Sequence, residues 1–376
     1  MDNILLSAAL SFLITFFAIP VIIQVAKDKK LFDEPDERKV HKAVIPTLGG
    51  LGIFAGFIVA TLMGVPLGIT TELQYFAAAS IVIFFLGMKD DILVLSASKK
   101  FIGQLIAAGI LIKFAGVQIT NMHGFLGIYV IPHYASIALS LFTIIVITNS
   151  FNLIDGIDGL AGSLGFLTTI VFGAYFYYIG HTEYAVMAFA LAGSLISFLI
   201  YNFSPAKIFM GDTGSLLLGL INSILVIKFI NLAGTGTPGI ALPLASAPAI
   251  GFSILMIPLF DTLRVFGLRI FDRRSPFSPD RTHVHHFLLD IGFSHRKITL
   301  SCVGINILII AMAFGLRNLG TTAVMGILLM TGFLFIGIIY YIRQKHKPVS
   351  VDEIMENEMR KSHKILSLST ESVEVE

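Results

Sequence analysis

The sequence is short of charge. Asp, Glu, Lys and Arg make up 13% of its 376 residues, about half of the ~25% usual in a soluble domain. It is also nearly without cysteine. The single thiol, Cys302, sits inside an apolar run, which excludes a disulfide framework and a cysteine metal cage. No basic stretch precedes the first apolar run, and that run, Ile4 to Val25, is longer than the ~7–15 residue core of a signal peptide. It reads as a retained first span. Neither an internal repeat nor a separate soluble domain can be picked out. The net charge of +2 identifies no partner, and no nucleic-acid partner is expected.

What is present is apolar. Hydrophobic residues form 55% of the chain and the mean hydropathy is +0.86. Runs close to the ~20 residues needed to cross a bilayer recur along its length. They lie near 4–25, 47–67, 74–88, 101–117, 134–151, 159–180, 184–202, 214–233, 244–267, 298–316 and 321–342. Lipid cannot satisfy backbone polar groups, so these runs predict helices. The expectation is an all-α polytopic bundle of about eleven transmembrane helices, spanning residues 1–345. Close helix contact is expected where glycines cluster, as at Gly49-Gly50-Leu51-Gly52. Residues 346–376 read as a polar, acidic-ended cytoplasmic tail, partly disordered.

Cations orient the bundle. With eleven spans, every Lys and Arg except Lys113, Lys228 and Arg317 falls on the face that also carries the C-terminal tail. That bias marks the face as cytoplasmic and places the N-terminus outside. An inner (plasma) membrane is the expected location.

Five polar segments converge on that face. The first runs from Asp33 to Lys42 and continues into Pro46-Thr47-Leu48-Gly49-Gly50. A solvated loop would explain it; so would a phosphate site built from Lys42 and the free N–H groups of a helix starting at Gly49. The second is Lys89-Asp90-Asp91 with Lys99-Lys100 close behind. Adjacent carboxylates at a span end must stay solvated or meet a cation. The third, Asn152-Leu153-Ile154-Asp155-Gly156-Ile157-Asp158-Gly159, is the most specific. Asn152, Asp155 and Asp158 are three apart and share a face in a helical turn. The pattern is not an EF-hand, whose twelve-residue loop ends in Glu. The fourth is Phe209-Met210-Gly211-Asp212-Thr213-Gly214-Ser215, where Asp212 could merely cap the next helix. The fifth is Arg281-Thr282-His283-Val284-His285-His286. Zinc is the other reading of three histidines, but no zinc-protease helix motif accompanies them.

Together these segments resemble the polyprenyl-phosphate N-acetylhexosamine-1-phosphate transferase family, from Asp33 to about Lys297. Within it the chain is similar to bacterial enzymes that start O-antigen, enterobacterial common antigen or teichoic acid synthesis. The resemblance implies an enzyme that moves GlcNAc-1-phosphate, or a related N-acetylhexosamine-1-phosphate, from the UDP-sugar to undecaprenyl phosphate and releases UMP. It implies Mg2+, with Mn2+ as a substitute, held by Asn152 and Asp212. Phe209 would stack on uracil beside Lys42, Gly156, Ile157 and Asp158. Asp90, Asp91, Asp155 and Lys100 would form the catalytic centre. Arg281, His283, His285 and His286 would read the sugar and its phosphate. The phospho-MurNAc-pentapeptide transferase of peptidoglycan synthesis is the nearest alternative; its loop shows three consecutive histidines where this chain has His283-Val284-His285-His286. A lipid-linked or nucleotide-sugar transporter would place charges at mid-membrane depth, where this sequence has few. A homodimer is compatible with this reading.

Overall fold

The computed structural model describes residues 2–29, 45–65, 71–233, 244–273 and 283–346. Lys42, Arg281, most of the first polar segment and the tail from 347 lie outside these residues. Helix dominates. The first helices are α1 (Asp2–Lys29), α2 (Gly49–Gly64), α3 (Leu73–Leu93) and α4 (Ala97–Lys113). A hairpin of β1 (Asn121–Phe125) and β2 (Ile128–Val130) leads into α5 (His133–Ile154). Then come α6 (Leu160–Tyr178), α7 (Thr182–Asn202), α8 (Gly211–Leu232), α9 (Ala247–Ile254) and α10 (Met256–Phe271). The short α11 (Val284–Asp290), α12 (His295–Gly315) and α13 (Thr321–His346) complete the described fold.

Each of the eleven expected spans coincides with helix, but not every helix is a span by length and composition. Among the described residues seven pass, namely α1, α5, α6, α7, α8, α12 and α13, or eight if α9 and α10 count as one bent span. The chain is therefore a multi-pass membrane protein; length and composition alone do not establish the figure of eleven. α2 has 16 residues and α4 17, and Lys89, Asp90 and Asp91 dilute the end of α3. The fold is all-α as expected, with one short hairpin, β1 and β2, beside the helices. Gly124 and Gly127, both at positive φ, turn the chain back on itself within a stretch read as a plain connection.

α8 is the axis. It is apolar all round, which suits a helix with no solvent face, and its residues from Thr213 to Ile230 are buried. α2, α3, α5, α6 and α9 pack around it. The approach is closest where α2 starts: a Cβ on Gly50 would overlap the backbone of Gly214. α1 packs outside, against α2 and α7. Its buried positions Ser7, Ser11, Thr15 and Ile19 recur every four residues, and Thr15 Oγ1 donates to Gly52 O at 3.0 Å. Small and hydroxylated residues of this kind let membrane helices touch backbone to backbone.

The region read as one span at 244–267 breaks between α9 and α10 with a 90° bend. Pro258 lacks the N–H that would continue the ladder to Ile254 O. Asn306 of α12, fully buried, replaces it: its Nδ2 donates to Ile254 O at 3.0 Å, and its Oδ1 accepts from Ile257 N at 3.2 Å. The bend turns α10 toward the end of the bundle where α3, α5 and α7 finish and α4, α8 and α12 begin.

Candidate active site

Asp212 sits in the first turn of α8, just after Gly211, whose φ is +69°. It does not cap its own helix. Asp91, at the end of α3, does so from across the gap. Asp91 Oδ1 accepts from Asp212 N at 2.7 Å, and Oδ2 accepts from Thr213 N at 3.0 Å and Thr213 Oγ1 at 2.5 Å. A carboxylate against the first N–H groups of a helix also meets the positive end of its dipole. Asp91 thus fixes where Asp212 stands. Asp212 Oδ1 accepts from Asn152 Nδ2 at 2.9 Å, and the same amide reaches Ser215 Oγ at 3.0 Å. Asp212 Oδ2 accepts from Lys100 Nζ at 2.6 Å, and that ammonium is also paired with Asp90 Oδ2. One cation therefore lies between two carboxylates carried by different helices.

The loop after α5 carries Asp155 to Gly159. Burial, with Asp212, Asp91 and Asp158 nearby, pushes the Asp155 carboxyl well above the usual carboxylate range. Gly159 takes the left-handed conformation at φ +75°, and its N–H donates to Asn202 Oδ1 at 2.9 Å. Asn202 Nδ2 donates in turn to Ile208 O at 2.8 Å. Asn202 thereby ties this loop to the segment bearing half-buried Phe209. Asp158 is buried and accepts from Ala206 N at 3.2 Å. His295, at the start of α12, brings Nδ1 to 3.2 Å from Asp158 Oδ1.

The segment around Gly49 is arranged otherwise than expected. Gly49 N donates to Phe209 O and Gly50 N to Met210 O, both at 2.9 Å. Those N–H groups are spent on the protein's own backbone, so a phosphate at the start of α2 would have to displace these carbonyls.

The histidines meet the Asp155 loop from the other side. His285 Nε2 lies 3.1 Å from where a Cβ on Gly156 would stand. His283 and His285 rings are nearly parallel, with centroids 5.7 Å apart, and His286 is 4.3 Å from His285. Burial and neighbouring His286 push His285 down to about 3, so it is neutral. His283 Nδ1 is 2.8 Å from Asp261 Oδ2 on α10.

The structure thus brings Asn152, Asp155, Gly156, Ile157, Asp158, Phe209, Asp212, Asp90, Asp91, Lys100, His283, His285 and His286 to one end of the bundle. It adds two residues the sequence reading missed, Asp261 and His295. Asp261 had a signal: a lone acid in the apolar run Ile257-Pro258-Leu259-Phe260-Asp261 is expensive unless used. His295 had none.

The donor set fits magnesium. Two carboxylates already share one cation, with an amide beside them whose O and N positions are an assignment. Magnesium takes one or two protein carboxylates and completes its shell on phosphates and water.

An apolar helix bundle with carboxylates, an amide, a lysine and histidines collected at one end is a membrane enzyme suited to a phosphate-bearing substrate. Residues 73–230 match the family Glycosyl transferase family 4. Over 309 residues the chain is 34% identical to a "Probable undecaprenyl-phosphate N-acetylglucosaminyl 1-phosphate transferase" of Bacillus subtilis, covering 80% of this chain and 81% of that one. It is 34% identical over 309 residues to a decaprenyl-phosphate N-acetylglucosaminephosphotransferase of Mycobacterium leprae, 77% of each chain. It is 30% identical over 291 residues to an undecaprenyl-phosphate alpha-N-acetylglucosaminyl 1-phosphate transferase of Escherichia coli O157:H7, 76% of each chain. The chain belongs to this family of polyprenyl-phosphate N-acetylglucosamine-1-phosphate transferases.

Proposed function

We propose that the protein transfers N-acetylglucosamine 1-phosphate from UDP-N-acetylglucosamine to undecaprenyl phosphate and releases UMP, as a first membrane step of envelope glycan synthesis. The observation that carries this reading is Lys100 held between Asp90 and Asp212 beside Asn152. It is a charge-dense, oxygen-rich point at the end of an otherwise apolar bundle.

An acceptor-phosphate oxygen attacks the sugar-bearing phosphorus, and the bond from that phosphorus to the UMP oxygen breaks. Asp212 and Asn152 would hold magnesium, which would supply charge neutralisation at the phosphoryl oxygens. Lys100 presents its ammonium to a phosphate, and Asp90 orients it. The acceptor monoester has a second pKa near ~6, so it is largely ionised at neutral pH and needs no strong base. Phe209 offers its ring to uracil, with Gly156, Ile157 and Asp158 alongside, and Lys42 is assigned to the same nucleotide. Arg281, His283, His285 and His286 are assigned to the sugar and its phosphate.

The cation distribution supports a cytoplasmic position for this end of the bundle; α2, α3 and α4 would then cross as well. The test is UMP release by membranes containing the protein, from UDP-N-acetylglucosamine with undecaprenyl phosphate and magnesium. Asp212→Asn should abolish release while the protein still inserts. Wild-type turnover persisting in excess chelator would remove the metal from the scheme.

A further inference from the structure

α10 carries a carboxylate that the transfer scheme above does not use. Asp261 lies three residues after Pro258 and is 5% exposed. A carboxylate buried among apolar helices is costly unless it is paired and hydrogen-bonded. Arg264, one turn on, supplies the charge with Nη2 at 2.8 Å from Oδ1. That local pair would suffice for neutrality. Yet Asp261 also reaches across to the histidine segment. Its Oδ2 is 2.8 Å from His283 Nδ1, and its Oδ1 accepts from Val284 N at 3.2 Å. One carboxylate therefore holds the side chain before α11 and the first N–H of α11 itself. The far side of α11 is fastened too. Arg343 of α13 pairs with Asp290 at 2.7 Å and lies 4.4 Å over the Phe287 ring, which Arg264 approaches at 5.6 Å.

The consequence is chemical. An ionised Asp261 can only accept, so His283 carries its proton on Nδ1 and keeps Nε2 as the second, distinct nitrogen. Nε2 is buried and has no hydrogen-bond partner among the described residues. The imidazole is 4% exposed, stacked on His285, which itself touches the Gly156 loop. A buried polar atom left unmatched in a native fold calls for a ligand or water.

We propose that Asp261 is a positioning residue. By fixing the tautomer and tilt of His283, it presents Nε2 to the sugar-phosphate donor. This rests on the transfer reading above. Asp261 touches no substrate; it acts through His283, as a carboxylate does when it orients a ligating or catalytic imidazole.

The test is a double-mutant cycle on the purified full-length protein, scored as UMP release. Asp261→Asn and His283→Gln should each lower kcat/KM for UDP-N-acetylglucosamine by about 10–100-fold. The double variant should fall no more than about threefold below His283→Gln, because both changes remove one interaction. Losses that multiply in the double variant, or an Asp261→Asn protein with wild-type kcat/KM, overturn the proposal.

A second measurement needs no variant of Asp261 to fold. In protein carrying 15N-labelled histidine, the signal missing from His283→Gln should report a proton on Nδ1. Its Nε2 resonance should move when UDP-N-acetylglucosamine is added. A proton on Nε2, or an Nε2 resonance unchanged at saturating donor, overturns the proposal. Wild-type protein that releases no UMP overturns the transfer reading alone, and the tautomer still decides whether Asp261 holds His283.

Discussion

Replacing Asn306 with leucine isolates what holds the bend between α9 and α10. Leucine nearly keeps the volume and removes only the hydrogen bonds. Two backbone groups then lose their partners, Ile254 O and Ile257 N–H. Each unpaired buried group costs ~1–3 kcal/mol, which sets an upper range of ~2–6 kcal/mol. Side-chain hydrogen bonds between membrane helices are often worth less, ~0.6 to 1.7 kcal/mol, because the disordered alternative finds other partners. Asn306 is fully buried, so few substitutes are at hand, and we expect a loss of ~2–4 kcal/mol. The matched control is Asn222→Leu. Asn222 is equally buried, but among the described residues its Nδ2 bonds only Leu218 O of its own helix and its Oδ1 has no partner. That substitution should be neutral or stabilising. Denaturant unfolding in one detergent, read by loss of helical circular dichroism, compares the two. Equal stabilities for both variants would show that packing, and not Asn306, sets the bend.

Three further outcomes follow from other parts of the molecule. Lys228 is 7% exposed and pairs with Glu72, which also accepts from Tyr184 Oη at 2.8 Å. Breaking a buried pair leaves an uncompensated charge, at ~3–5 kcal/mol when burial is complete. Glu72 is partly open, so Glu72→Gln should cost ~1–2 kcal/mol by thermal unfolding; Lys228→Met with Glu72→Gln should recover most of it, and failure to recover would discount the pair. His285 is held neutral with its value pushed down to about 3, against ~6.5 when unfolded. The unfolded chain therefore binds the extra proton as pH falls from about 6.5 towards 3, and stability drops across that window by up to ~1.4 kcal/mol per pH unit. His285→Gln should flatten the acid limb of a stability–pH curve; an unchanged limb refutes the assignment. Cysteines at exposed Lys99 and Tyr129 should label from opposite sides of the membrane, Lys99 from the cytoplasm. Buried Cys302 should stay silent, and labelling of both from one side would contradict the orientation.

The helices were legible because an apolar run near bilayer length is a strong, local signal, and Asp155 to Gly159 was legible because polar residues interrupt such a run. What could not be read depends on partners far along the chain. The bend at Leu255 is a case. Pro258 stands in plain view within residues 244–267, but a proline only loosens a helix; Asn306, about fifty residues on, makes the break tolerable. Gly49 and Gly50 looked like phosphate donors because the carbonyls of Phe209 and Met210 that occupy them are remote in sequence. Asp91 reads as the twin of Asp90, yet it faces the first turn of α8 while Asp90 faces Lys100. Neighbours in a helix point about 100° apart, so these two acids meet different partners.

That division of labour sets the charge of the site. Asp91 is matched by two N–H groups and a hydroxyl, and burial pushes its carboxyl up to about 7, so it adds little unbalanced charge. Asp155 is pushed toward its neutral form and adds little. Asp90 and Asp212 remain, with Lys100 as the cation between them. Lys100 gets no help from its own helix, since it sits near the positive end of α4; the two carboxylates hold it there. The three charges leave a net of about one negative at that point. A divalent cation would turn this into a positive site able to meet a diphosphate, and Lys100 would be released toward whichever phosphate arrives. A second free carboxylate would make the site too negative for that anion, and losing Asp90 or Asp212 would leave the cation too weakly held. The capping role of Asp91 is therefore as much a condition of phosphate chemistry as the residues that would touch the phosphate.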